Sequence, residues 1–340
     1  MILARAPLRI NDIGGWTDTW FCESGRVLNI AVSPKVEVEV SLSPNVDNRE
    51  DRVLVHAKNY GEVFRIRPGY PEKSPHPLLQ QTLSALPIPE NIMLDISIFC
   101  RIPGGSSTGT SASVCVALIG ALSKVSGISS SAKTIAYLAH SIETEKMGLQ
   151  SGIQDQIAAS FGGICLIDMV RYPQAEIHRL DIDKNTAEDL ERRLCLIYLG
   201  RSHISSAIHE KVIAFLEKKG PGFKPLQHLK DCVEKARDSL LNGNLEKFGE
   251  VMIENNMYQK ALHPDLISSE AEAVIHIAKK HGAKGWKVNG AGGPGGSLTL
   301  LGSGDSYRRQ KMVEEITALG KGITPYSVSL SPAGLQVWET

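Results

Sequence analysis

Residues 103–113 read PGGSSTGTSAS, a glycine- and hydroxyl-rich loop that runs straight into a helix. Gly104, Gly105 and Gly109 let a backbone turn tightly and approach a ligand closely. Ser106, Ser107, Thr108, Thr110 and Ser111 fill the gaps between and after them. The following SASVCVALIGALSKVSG places apolar residues at helical spacing, with Gly127 as its stop. Free N–H groups at the positive end of a helix attract anions. The segment therefore reads either as a phosphate cradle or as a Ser-rich N-cap on an Ala-rich core helix. It is not a Walker A loop, because no Gly-Lys-[Ser/Thr] follows, and the loop itself carries no G-x-G-x-x-G.

A second constellation lies at 130–163, SSAKTIAYLAHSIETEKMGLQSGIQDQIAASFGG. Ser130 and Ser131 offer an N-cap, and Ile135, Leu138, Ala139 and Ile142 form an apolar stripe over a helix at 131–147. Glu143 and Glu145 fall near its C-terminal end, where the helix dipole disfavours carboxylates. Gly148 and Gly152 bracket a turn before a second helix at 153–161, whose first turn carries Asp155. An acid there, with Ile157, Ala158 and Ala159 following, is placed either to act as a general base or simply to cap the helix.

Two more glycine-bearing segments complete the pattern. ARAPLRINDIGGWTDTW alternates through Leu8 and Ile10, puts Arg9 on the opposite face, then breaks at Gly14–Gly15 with Asp18 on the loop beyond. GAKGWKVNGAGGPGGSLTLL reads strand, glycine turn, strand, with Gly290, Gly292, Gly293, Gly295 and Gly296 crowded together. That density suits a backbone that must approach a ligand or another backbone.

Taken in order, these segments resemble the motifs of the galactokinase–homoserine kinase–mevalonate kinase–phosphomevalonate kinase (GHMP) superfamily, over almost the whole chain. RAPLRINDIGGWTD is similar to the sugar-kinase opening segment, and PGGSSTGTSAS to the superfamily phosphate loop. ETEKMGLQSGIQDQ resembles the galactokinase metal-and-base segment, with the same separation of twelve residues between Glu143 and Asp155. Gly-Gly-Trp-Thr-Asp and GRVLNIAV look most like the fucokinase and heptose 7-phosphate kinase branch. The resemblance implies an α+β, two-domain fold, with a ribosomal protein S5-like α/β domain over 1–190 and a ferredoxin-like α+β domain over 191–340. It implies an ATP- and Mg²⁺-dependent sugar kinase acting on a hydroxyl, the anomeric one. Asp155 would be the base, with Arg9 facing it or the transferring phosphoryl group. Glu143 and Ser111 would hold Mg²⁺, and Gly104 to Ser111 would wrap the nucleotide phosphates. Asp18, with Gly15, Trp16, Gly292 and Gly293, would meet the sugar or sugar phosphate. Ser107 departs from the family loop, which has glycine there. Gly15–Trp16 replace the Glu-His of galactokinases, which argues against galactose.

The remaining sequence sets bounds. With 340 residues the chain can form two domains. Its 37 basic and 37 acidic residues balance without runs, which removes the footprint of a nucleic-acid binder. Six dispersed cysteines form no Cys-x-x-Cys, and Cys100, Cys115, Cys165 and Cys195, in apolar runs, read as core residues. No apolar stretch approaches the ~18 residues of a membrane span, so the expectation is a cytoplasmic monomer or homodimer with a small-molecule partner. Strands are expected at 27–32 and 35–42, a hairpin follows, and a domain boundary is expected in the charged segment 183–193. Helices at about 205–219, 224–242, 244–260, 268–281 and 305–319 alternate with LCLIYL, GWKVN, SLTLL, YSVSLS and LQVWE in a two-layer second half. Trp16 and Trp20 could stack on a ligand or fill an interface, and His203, Ser205 and Ser206 read as a helix cap. A non-catalytic sugar sensor would be expected to lack the base or a metal ligand, yet Asp155, Glu143 and Ser111 are all present.

Overall fold

Strand periodicity decides the first layer. Val36, Val38 and Val40 are fully buried while Glu37 and Glu39 between them are not, so one face of the strand packs inward. The computed structural model describes residues 1–70, 76–202 and 206–340, with residues 206–209 in backbone only. In chain order the first half contains β1 (Ile2–Ile13), β2 (Gly25–Pro44), β3 (Val53–Ala57), β4 (Glu62–Ile66) and α1 (Pro77–Ser84). It continues with β5 (Ile92–Phe99), α2 (Thr110–Val125), α3 (Ala132–Ser141), α4 (Gln154–Phe161), β6 (Ile164–Arg171) and β7 (Gln174–Leu180). Next come α5 (Lys184–Arg193), β8 (Leu194–Leu199), α6 (Ser206–Lys219), α7 (Lys224–Leu241), α8 (Leu245–Leu262) and α9 (Ser269–Lys280). The chain closes with β9 (Gly285–Val288), β10 (Ser297–Leu301), α10 (Ser306–Thr317), β11 (Ile323–Tyr326), β12 (Ser329–Leu330) and β13 (Gln336–Glu339).

These strands make two sheets. The larger runs β13-β1-β2-β5-β3-β4, with β6, β7 and β12 joined through β2. Among the described residues, only the β3–β5 pairing in it is parallel. The smaller, β11-β8-β10-β9, is antiparallel throughout. Helix α2 is buried almost all round because it lies against β1 and β2 with α1, α3 and α4 packed beside it. The two expected strands at 27–32 and 35–42 are one strand, β2, whose backbone stays extended through Ser33 and Pro34.

The last strands of the second half do not pair as expected, and the charged segment before it has its own structure. The charged segment at 183–193 is a helix, α5, capped by the Asp183 side chain accepting from the Thr186 N–H. Its alternating charges form a solvated face over buried Leu190. LQVWE does not join the second sheet: β13 pairs with β1, Leu3 opposite Trp338. YSVSLS divides, β11 lying on the small sheet and β12 on β2. Sequence spacing predicts strands here but not their partners. Of the expected cap, His203 and Ser205 lie outside the described residues, and Ser206 is described in backbone only, as the first residue of α6.

The main core follows the same mixing. Leu8, Ile10 and Val38 from the large sheet share one apolar cluster with Val233, Phe248 and Met252 from α7 and α8. Among the described residues, no helix is long and apolar enough to cross a membrane. Phe248 is fully buried, so Phe248→Ala should cost about 3–5 kcal/mol in urea unfolding. The large sheet and α8 should unfold in one transition. A loss confined to a separate C-terminal transition would contradict the shared core.

Candidate active site

Strand β1 carries Arg9 and Asp12 to the place where the glycine loop turns. The Arg9 backbone N–H donates to Thr108 O at 3.0 Å, so the strand clamps the loop from one side. The guanidinium crosses to α4, where Nε donates to Asp155 Oδ1 at 2.7 Å and Nη2 to Asp155 Oδ2 at 3.1 Å. Nη1 donates to Ser107 O at 2.5 Å. Burial opposes the charge on this almost wholly buried arginine. Asp155 and then Asp12 outweigh that, and hold its pKa above the ordinary value.

The loop has two faces. Ser106 and Thr108 are buried, with their hydroxyls 2.7 Å apart and Thr108 Oγ1 3.1 Å from Thr110 Oγ1. They brace the loop from behind, leaving its backbone N–H groups as the part that can meet a ligand. Ser107, the departure from the family glycine, adopts φ 58° all the same. That left-handed turn presents its carbonyl to Arg9. Helix α2 starts at Thr110, leaving the N–H groups of its first turn without intrahelical acceptors.

Glu143 sits on a π turn, Ile142–Lys146, that widens the end of the predicted 131–147 helix. Its Oε2 accepts from Gln156 Nε2 at 2.6 Å. Burial, and then the negative charge of Asp155, push the Glu143 carboxyl up to about 7 despite hydrogen bonds from Ser151 and Gln156. Glu143 and Ser111 line one chamber of about 610 Å³ together with Ser107, Gly109 and Asp155. A buried carboxylate crowded by a like charge gains from a divalent cation. Mg²⁺ is satisfied by one or two protein oxygens plus phosphates and water. These two residues fit that ion. Among the described residues, no cluster of three or more His, Cys, Asp or Glu side chains forms an all-protein cage.

Two further cavities adjoin this chamber. One, of about 140 Å³, shares Arg9, Asp155, Gln150 and Gly290 with it and adds Asp18, Trp16 and Trp20. The other, of about 290 Å³, shares Gly105, Thr110 and Ser111 and is walled by Ala57, Leu79, Ile98 and Val114. This apolar cleft, an adenine-sized slot beyond the phosphate loop, escaped sequence reasoning because its walls come from β3, β5, α1 and α2. No local motif marks it.

In the smaller cavity Asp18 Oδ2 accepts from the Gln154 N–H at 3.1 Å. Burial, and beyond the relief from that N–H the charges of Asp155 and Asp12, push its carboxyl up to about 6. Gly152 is obligatory beside it, since any Cβ there would collide with the carboxylate. Trp16 lines the cavity and also packs into an apolar cluster with Ile213 and Leu226. Gly15, Gly292 and Gly293 do not reach it. A Cβ on Gly15 would lie 2.5 Å from Asp12 Oδ2, and Gly293 N–H donates to Leu266 O at 2.8 Å. The third glycine motif contributes Gly290 and Ala291 instead. A Cβ on Gly290 would press within 3.3 Å of both Arg9 Nη2 and Ser107.

Asp12 and Lys287 were missed by sequence reasoning. Lys287 is fully buried and donates to Asp12 Oδ1 at 3.1 Å, Gln259 Oε1 at 3.2 Å and Val288 O at 2.8 Å. Asp12 Oδ1 also accepts from the Gly290 N–H at 3.0 Å. A lysine between apolar residues in a short strand was the available signal.

A model of the GHMP kinases N terminal domain matches residues 78–163, which hold the glycine loop, Glu143 and Asp155. A mevalonate kinase of Thermococcus onnurineus is 30% identical over 251 residues, 72% of this chain and 69% of the relative. The chain belongs to the GHMP kinase family. Membership makes it an ATP-dependent phosphotransferase with an alcohol acceptor. A bifunctional fucokinase/GDP-fucose pyrophosphorylase of Arabidopsis thaliana is 24% identical over 329 residues, 91% of this chain. The chain spans only 31% of that relative's length. In fold, this GHMP kinase is similar to a D-glycero-D-manno-heptose 1-phosphate kinase from Bacteroides thetaiotaomicron, with TM-score 0.77, 18% identity and coverage of 100% and 99% of the two chains. The two-sheet α+β architecture is that of the family.

Because the folded Glu143 titrates near 7 rather than 4.5, its ionisation opposes folding of the metal-free protein. The stability it supplies in its neutral form is lost as pH rises from 4.5 to about 7, and no more is lost above that. Glu143→Gln should therefore gain melting temperature over wild type across that window and keep the gain at higher pH. A difference independent of pH in scanning calorimetry would contradict this.

Proposed function

We propose that this GHMP kinase transfers the γ-phosphate of ATP to a sugar hydroxyl, the anomeric one. The observation that carries the reading is the position of the Arg9–Asp155 pair. It stands in the wall shared by the Asp18 cavity and the chamber beneath the glycine loop. An alcohol in the first and a triphosphate in the second would meet at this pair.

The residues divide the work accordingly. Asp155 takes the hydroxyl proton as the oxygen forms its bond to phosphorus, and ADP carries away the bonding pair of the broken P–O bond. Arg9 fixes both carboxylate oxygens of Asp155, so the base is held in one orientation; its remaining N–H groups face the transferring phosphoryl group. The N–H groups of Gly104 to Ser111, at the start of α2, hold the phosphates. Glu143 and Ser111 would hold Mg²⁺, which would supply neutralisation of phosphate charge. Asp18 accepts from a sugar hydroxyl, and Trp16 and Trp20 supply the apolar surface that a sugar ring stacks on. Relatives include a fucokinase-containing protein and mevalonate kinases at similar low identity, so the choice of a sugar over mevalonate rests on the cavity and not on them. The division of the chain into working halves at about residue 190 belongs to the same proposal.

An ADP-release screen of sugars with Mg-ATP tests the reading, with the product examined for phosphorus coupling to the anomeric proton. Asp155→Asn should lower turnover by about 10²–10⁴ while ATP still binds. Unchanged turnover would reduce Asp155 to a helix cap.

A further inference from the structure

The Asp18 cavity has a charge pattern that goes beyond the naming of a sugar. Four charged residues line it, Arg9, Asp12, Asp18 and Asp155, three of them acids. Among the described residues Arg9 is the only cation in the wall; neighbours take three of its five N–H groups, and the other two are those assigned to the transferring phosphoryl group. Nε and Nη2 are on Asp155, Nη1 is on Ser107 O, and Asp12 lies 3.8 Å away. Lys287 lies behind the wall with its three donors committed to Asp12, Gln259 and Val288. No cation is left over for an anionic group on the acceptor.

The uncharged lining adds one acceptor in want of a donor. Gln150, Ser151 and Gln154 stand beside the carboxylates, and Gln154 Oε1 is buried without a partner among the described residues. Such a wall offers hydrogen-bond acceptors and asks for donors, which hydroxyl groups supply and a phosphate or carboxylate does not. The volume of about 140 Å³ is close to the ~150 Å³ that admits one six-membered ring.

Resting on the sugar-kinase reading, we propose that the acceptor is an uncharged polyol, a free monosaccharide, and that the cavity rejects alcohols carrying a phosphate or carboxylate. Asp18 reports the potential an acceptor would meet. Its own negative charge is disfavoured there, first by burial and then by Asp155 and Asp12. A second anion entering the cavity meets the same field without the Gln154 N–H that steadies Asp18.

Matched pairs test this in the full-length protein with saturating Mg-ATP. Free heptose is compared with heptose 7-phosphate, mannose with mannose 6-phosphate, and mevalonate serves as a hydroxy acid. Within each pair, kcat/KM for the free sugar should exceed that of the phosphate by about tenfold or more, as like-charge juxtaposition dictates. Mevalonate should fall below the best free sugar. Faster turnover of either phosphate, or of mevalonate, would overturn the inference while leaving phosphoryl transfer standing. Turnover with no alcohol at all would overturn the kinase reading and this inference with it. Asp18→Asn, isosteric and uncharged, should narrow the free-to-phosphate ratio. An unchanged ratio in a folded, active variant would overturn the charge argument.

Discussion

The bidentate contact between Arg9 and Asp155 ties this molecule together. It joins residues 146 positions apart, one on the first strand and one in the first turn of α4. A buried guanidinium is tolerable only when its charge is paired and its donors are filled. Asp155 and nearby Asp12 pair the charge, and Asp155 with the Ser107 carbonyl fills three of the five donors. Strand, loop and helix are thereby fixed against one another, and the loop's left-handed turn at Ser107 is held by the same arginine.

A second buried pair extends that arrangement into the other sheet. Lys287 of β9 and Asp12 of β1 meet with each side chain 1% exposed. Asp12 then receives the Gly290 N–H, which brings the third glycine motif against Arg9 and the loop. The negative charges gathered for this purpose are not all compensated. Burial first, and then the charge of neighbouring carboxylates, raises the proton affinities of Glu143 and Asp18. One carboxyl sits where a divalent cation and nucleotide phosphates fit, and the other where hydroxyl donors fit. This electrostatic pattern matches the chemistry of the ligands proposed for the site.

Much of this was legible in the residues. Glycines needing unusual backbone angles announced the loop, and apolar spacing announced α2, α3 and the C-terminal helices, because both signals are local. Arg9, Asp155, Glu143 and Ser111 were found as motif members, and the structure brings them to adjoining cavity walls. What failed to show was partnership. LQVWE reads as a strand anywhere, and its place beside β1 is set by long-range packing over α2. Gly292 and Gly293 look no different in sequence from Gly290, yet only Gly290 among them reaches the cavity. Asp12 was hidden beside the more conspicuous Asp18, and the adenine-sized cleft is assembled from four separated elements.

The most direct measurement is a crystal structure with a non-hydrolysable ATP analogue, Mg²⁺ and a turned-over acceptor sugar bound together. The triphosphate should lie along the glycine loop, with its last phosphate beside Arg9. One sugar hydroxyl should lie within about 2.6–3.2 Å of the Asp155 carboxylate. A sugar bound elsewhere, or a terminal phosphate remote from Arg9 and Asp155, would contradict the account.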